Sequence, residues 1–309
     1  MSKIFAWLSS AFVLLFFTSI ASATTKSFTA ASASLPSDVE VLATSNLKSV
    51  RSTETFKTVF PELMKLGGGV GAAVDTVKKE CGIDPVKAFD DATIGLDKKD
   101  KGAVFFALSG VSEQKLLDCV AKVAKAENKS TVSTKKSGAI TEVKNDKSGQ
   151  TVFYAWLPGD VLVVATEPDD KPLLERMLGG KGGLSKSPVA GRLSKMDPGA
   201  ALSVAFAKQL PVEKMTVKGA NVNVAASGGN VTATTVLEMA SKKEAEQIVT
   251  IATMAAAIAK PKGAPKELER LLKSINASSS GADATITAQS TEKELAVVLG
   301  WALKEALRF

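Results

Sequence analysis

The sequence predicts an α+β fold of two similar lobes, each an antiparallel sheet with helices packed on one face. Three observations carry that prediction. Hydrophobic residues make up 45% of the 309-residue chain and charged residues 23%, enough apolar material for packed cores. Apolar runs of strand length come in clusters joined by Gly, Pro, Asn and Asp turns, rather than in strict alternation with helices. Three strand-and-helix patterns of the first half also recur in the same order in the second.

The order begins with an export signal. Lys3 supplies a positive end, residues 4–20 are almost wholly apolar, and Ala21-Ser22-Ala23 offers the small residues a signal peptidase requires, with cleavage after Ala23. Residues 24–36 are small and polar and predict a flexible leader. The first lobe is assigned to 37–180. It opens with a strand at 38–44, followed by a helical insert at 52–89, broken at Gly67-Gly68-Gly69-Val70-Gly71 and stopped at Cys81-Gly82. A strand at 103–109 and a helix at 112–126 follow, the helix carrying Leu116, Leu117, Val120 and Val123 at helical spacing. Strands at 131–133, 139–143, 151–157 and 161–165 and a helix at 169–178 complete the lobe. Residues 181–187, Lys-Gly-Gly-Leu-Ser-Lys-Ser, predict a flexible linker.

The second lobe is assigned to 188–309. Strands are predicted at 200–207, 215–226, 231–239 and 282–288, and helices at 242–259, 265–275 and 292–308. Ser241 with Glu244 and Thr291 with Glu294 fit the capping box, a hydroxyl with a Glu three residues on. The recurrence sets 41–47 against 204–210, 103–125 against 231–253 at an offset of 128, and 160–178 against 283–301 at an offset of 123. The offsets shrink as deletion of the helical insert requires.

Composition closes most catalytic routes. The chain has no His, so a Ser-His-Asp or Cys-His nucleophile and a His-ligated metal are excluded. The remaining motifs have plainer readings. Lys181-Gly182-Gly183-Leu184-Ser185-Lys186-Ser187 resembles a phosphate loop but follows a helix and precedes Pro188. Asp90-Asp91 and Glu167 with Asp169-Asp170 are adjacent acids, which do not set two carboxylates across a bond. Ser112 and Lys115 give the S-x-x-K spacing of a Ser/Lys hydrolase, a third-ranked reading, and Ser112 reads first as a helix N-cap. No metal site and no cofactor are expected. Aromatics are 6% and the net charge of +7 is spread among acids, so no nucleic-acid surface is expected.

Export makes Cys81 and Cys119 a candidate disulfide. The sharpest functional candidate is apolar. Ile248, Ile251, Met254, Ile258, Val298 and Trp301 cover wide helical faces that belong either in the core or around a hydrophobic pocket. Glu80-Cys81-Gly82-Ile83-Asp84-Pro85, the downstream Cys119 and the strand-Ser-helix units resemble a group of exported bacterial envelope proteins. That group shares a signal peptide and a Cys-Gly-Ile-Asp-Pro segment in a domain without assigned activity. Several carry a lipobox Cys, which this chain lacks. The expectation is therefore a non-catalytic periplasmic binding or accessory protein of the cell envelope, without a stable membrane span after signal cleavage. Its partner is expected to be a lipid-like ligand or, alternatively, an envelope protein docking on a structural module.

Overall fold

The computed structural model describes residues 24–66, 70–128, 130–212, 215–258 and 263–306. The signal segment 1–23 with its cleavage point, Gly67–Gly69 of the glycine break and the side chain of Ile258 lie outside the described residues. The fold is α+β with antiparallel strand pairing, as the sequence predicts. No helix among the described residues is long and apolar enough to cross a membrane. The chain forms two compact units: one from Thr24–Lys48 and Met64–Ala190, the other from Ser49–Leu63 and the chain from Gly191 onward.

The first unit starts with α1 (Lys26–Ser34), not with a flexible leader. Thr25 caps it, and Ser27, Ala31 and Leu35 are wholly buried. Strand β1 (Val39–Ser45) and the short α2 (Leu47–Val50) follow. Of the predicted insert, α3 (Glu54–Leu66) divides between the units, because Ser49–Leu63 belongs to the second. There Glu54 N–H donates to the Glu292 carboxylate at 2.9 Å and the Thr55 hydroxyl to the Glu292 carbonyl at 2.8 Å. Helix α4 (Val70–Cys81) and the short α5 (Pro85–Ala88), capped by Asp84, return the chain to the first unit.

Strand β2 (Phe89–Asp97) has no counterpart in the sequence prediction, which ends a helix at Phe89. Its Asp and Gly residues are poor strand formers, and pairing with β1 on one side and β3 (Gly102–Leu108) on the other overrides them. After β3 come α6 (Glu113–Asn128), β4 (Val132–Ser137), β5 (Ile140–Asn145), β6 (Thr151–Leu157), β7 (Val161–Ala165) and α7 (Lys171–Leu178). The strands pair in the order β1-β2-β3-β7-β6-β5-β4. Side chains alternate across this sheet. Phe105 and Val163, paired and wholly buried, point to one face, and Phe106 and Leu162, also paired, to the other.

Helices cover both faces of this sheet, where the sequence predicts one. Helix α1 lies on the Phe105 face, since Ser27 Oγ meets Thr93 Oγ1 at 2.8 Å and Thr93 pairs with Phe105. Helices α4, α5 and α6 share a cluster on the other face with Leu108 and Leu162. Read as a leader, residues 24–36 left the first face without a cover. The predicted linker is ordered too. Gly180 N–H donates to Ser34 O at 2.8 Å and Gly182 N–H to Ala33 O at 2.7 Å, a 3-10 turn spans Gly183–Lys186, and Leu184 is 1% exposed.

The second unit holds β8 (Leu202–Phe206), β9 (Leu210–Val212), β10 (Met215–Ser227), β11 (Asn230–Met239), β12 (Asn276–Ser280) and β13 (Asp283–Thr291), reached through the short α8 (Ala190–Leu193). They pair in the order β8-β10-β11-β13-β12, with β9 on β10. This repeats the order β1-β2-β3-β7-β6. Strand β12, Asn-Ala-Ser-Ser-Ser, was not predicted: its residues carry no strand pattern, and pairing with β13 makes it one. Helices α9 (Lys242–Ile258) and α11 (Glu292–Ala306) lie on one face, flanking α10 (Lys266–Lys273). Helix α9 packs on Met215, Val217, Met239 and Ala284, and α11 on Leu202, Val224, Ala226 and Val231. Both predicted caps are present. Ser241 Oγ accepts Glu244 N–H, and Thr291 and Glu294 exchange N–H donations, each at 3.2 Å.

Candidate functional site: an apolar groove beneath helix α6

Three elements build the groove. Helix α6 begins at Ser112, whose Oγ accepts Lys115 N–H at 3.2 Å, and presents Leu116, Cys119, Val120, Val123 and Ala124 along its inner face. That spacing is the helical period legible in the sequence. The groove-facing side chains of the sheet are Leu108, Leu162, Val132, Val143 and Val152, and Val77, Ile83, Pro85 and Ala88 close one end. The volume is about 440 Å³, inside the range of small-molecule sites. Every lining side chain is apolar except Asn145 and Gln150, whose backbones are joined by the Asn145 N–H donating to Gln150 O at 2.9 Å.

Two anchors hold α6 over this space. Cys119 is joined to Cys81 at the end of α4, with Cα atoms 5.1 Å apart, so the predicted disulfide is present. At the helix start, Glu113 bonds Lys136 Nζ at 2.9 Å, Thr141 Oγ1 at 3.2 Å and Tyr154 Oη at 3.3 Å. Burial pushes the Glu113 carboxyl up, but these donors, Lys136 foremost, outweigh it and hold the group below its ordinary value. Burial, with the adjacent carboxylate, pushes the Tyr154 phenol up to about 12. The cluster is a charged clamp rather than an acid–base pair, since Glu113 stays ionised and Tyr154 stays protonated at neutral pH.

The residues the sequence singles out for a pocket do not line this groove. Ile248 and Val298 are buried core, Trp301 is half-buried, and Ile251 and Met254 are 44% and 50% exposed. Their helix is nonetheless the counterpart of α6. The inward-facing pairs are Leu108 with Leu237, Leu116 with Ala245 and Cys119 with Ile248, an offset of 129. The sequence predicts 128, and in a strand an error of one reverses every side chain. Under α9, Met239 and Ala284 are wholly buried and Met215, Val217, Ala245 and Ile248 pack with them, and the residue that matches Met239 at that offset is Gly110, which brings no side chain. This groove thus lies under α6, which follows β3 as α9 follows β11. Its signal was the row Leu116, Val120, Val123.

The remaining motifs serve the fold. Lys115 Nζ donates to Gly110 O at 3.2 Å, so Ser112 and Lys115 form a helix cap. Asp170 Oδ1 accepts Leu173 N–H at 2.9 Å and caps α7, and Glu167 pairs with Lys101 at 3.0 Å. Asp90 is the extra residue of a bulge in β2 between the paired Phe89 and Asp91, and Asp91 accepts the Ser27 N–H at 2.8 Å.

No family model matches this chain, and no curated protein does. Among solved structures, three crystal forms of TP0453 are similar. Form III has a TM-score of 0.47 at 10% identity, over 87% of this chain and 96% of that one. Form IV has 0.48 at 9%, over 87% and 95%, and form I 0.44 at 9%, over 90% and 98%.

Proposed function

We propose that this protein is a non-catalytic, exported accessory protein of the cell envelope that carries a hydrophobic ligand in the groove beneath α6. The observation that carries the reading is an open volume of about 440 Å³ with an almost wholly apolar lining in the first unit. An apolar space of that size gains free energy by exchanging water for an alkyl chain. The export signal and the disulfide support a periplasmic location, where thiols oxidise. The repeated strand order supports an internal duplication.

A second reading, a protein-docking module, is favoured by the exposed Ile251, Met254 and Val297 of the second unit. One experiment separates the two. Titration of the purified chain with a fluorescent fatty acid is expected to saturate at one site, and Val120→Phe, which fills the groove from α6, to weaken uptake about tenfold, some 1.4 kcal/mol, without lowering the melting temperature. No uptake by the wild-type chain, or equal uptake by the variant, overturns the carrier reading.

A further inference from the structure

Two polar side chains, Asn145 and Gln150, stand in the otherwise apolar lining of the groove, and hydrogen bonds fix the orientation of the first. Asn145 ends β5 and opens the hairpin to β6. Its Oδ1 accepts Lys147 N–H at 3.0 Å, Ser148 N–H at 2.9 Å and the Ser130 hydroxyl at 2.9 Å. Backbone N–H groups only donate, so these bonds settle which amide atom is oxygen. The other atom, Nδ2, then offers two N–H donors, and no acceptor meets it among the described residues. Asn145 itself lines the groove, with the Gln150 amide beside it. The carboxylate next in sequence, Asp146, accepts from Thr131 Oγ1 at 2.6 Å and Ser133 Oγ at 2.9 Å, one bond on each oxygen.

We infer that the ligand is a single acyl chain whose tail lies toward Ile83 and Leu108 and whose head, a carbonyl or carboxylate oxygen, accepts from Asn145 Nδ2. This rests on the carrier reading and sharpens it to a ligand class. An oxygen head satisfies donors that the closed hairpin leaves open. An ammonium head brings donors to a donor and gains nothing there. The hairpin makes the preference rigid: Asn145 cannot turn its oxygen to the groove without releasing Lys147, Ser148 and Ser130 together.

The test uses the full chain and three probes of equal length, dodecanoate, methyl dodecanoate and dodecylamine, displacing a fluorescent fatty acid. Dodecanoate and its ester are expected to bind about tenfold more tightly than the amine. Asn145→Asp keeps an acceptor for all three hairpin donors and so keeps the melting temperature, but replaces the amide donors with a carboxylate. It is expected to weaken dodecanoate about tenfold or more and to reverse the order of dodecanoate and amine. Equal affinity of the wild-type chain for all three probes, or an unchanged order in Asn145→Asp, overturns the head-group assignment and leaves the groove a carrier of alkyl chains. Binding of none of the three overturns the carrier reading itself.

Discussion

Asp91 Oδ1 accepts the backbone N–H of Ser27 at 2.8 Å across 64 residues of chain, so a strand side chain holds the first turn of α1. Ser27, Thr93 and Thr44 continue the contact as a chain of buried hydroxyls, with steps of 2.8 and 2.9 Å. This network decides whether residues 24–36 are a tail or part of the core.

It also sets a pH dependence. Burial pushes the Asp91 carboxyl above its ordinary value of 3.8, and the Ser27 bonds offset this only in part. For a group raised in the folded state, the stabilising contribution is full below the unfolded value and is lost as pH rises through the folded one. Asp91→Asn keeps an acceptor for Ser27 N–H and is expected to be more stable than wild type at pH 7, with the advantage shrinking toward pH 4. Asp91→Ala, which leaves the helix end unpaired, is expected to cost about 1–2 kcal/mol. Urea midpoints at the two pH values measure both, and parallel wild-type and Asn curves would count against the account.

Asp97 titrates in the opposite sense. Burial pushes its carboxyl up, but Lys99 N–H at 2.7 Å, Lys101 N–H at 3.1 Å and the Arg176 guanidinium at 2.6 Å together hold it below 3.8. Stability from this group is therefore present above the unfolded value and lost as pH falls through the folded one. Arg176 is 37% exposed, so solvent screens its share. Arg176→Gln is expected to cost about 1 kcal/mol at neutral pH and to move the acid-unfolding midpoint upward, as thermal melts between pH 2 and 7 report.

Gly180 tests the ordered linker. A Cβ there would fall 2.3 Å from the carbonyl carbon and oxygen of Leu35, which are backbone and cannot swing aside. Gly180→Ala is expected to destabilise the chain by about 1–3 kcal/mol. Gly182→Ser tests only the left-handed conformation at φ 76°, with nothing for its Cβ to strike. A flexible linker would tolerate both, so unchanged melting temperatures refute the docking onto α1.

The disulfide closes a separation of 38 residues, for which loop-closure entropy predicts about 4 kcal/mol. Cys81→Ser with Cys119→Ser is expected to lower the urea-derived stability by that order and to weaken fatty-acid uptake, because the bond holds α6 beside the groove. Uptake at wild-type strength in a destabilised but folded variant would show that the Glu113 clamp alone positions the helix.

Much of the fold was legible in local chemistry. The capping boxes at Ser241 and Thr291 place two helix starts, because the cap and its Glu are neighbours in sequence. The strands β6 and β7 declare themselves by apolar runs between turns. Strands β2 and β12 do not, since Asp90, Asp91 and Gly95 or a row of serines become strand only when a neighbour supplies the hydrogen bonds. The groove was half legible: Leu116, Val120 and Val123 mark an apolar face but do not reveal whether a side chain fills the space beneath it.

The sequence by itself determined the classes of element, the α+β character, the cysteine pair and the absence of imidazole chemistry, because each follows from residue type or short-range period. Only the tertiary structure decided that residues 24–36 and 181–187 pack against one another, that part of the insert joins the second unit, and that a groove lies under α6. Those outcomes turn on contacts between residues far apart in the chain, such as Asp91 with Ser27 and Gly180 with Ser34.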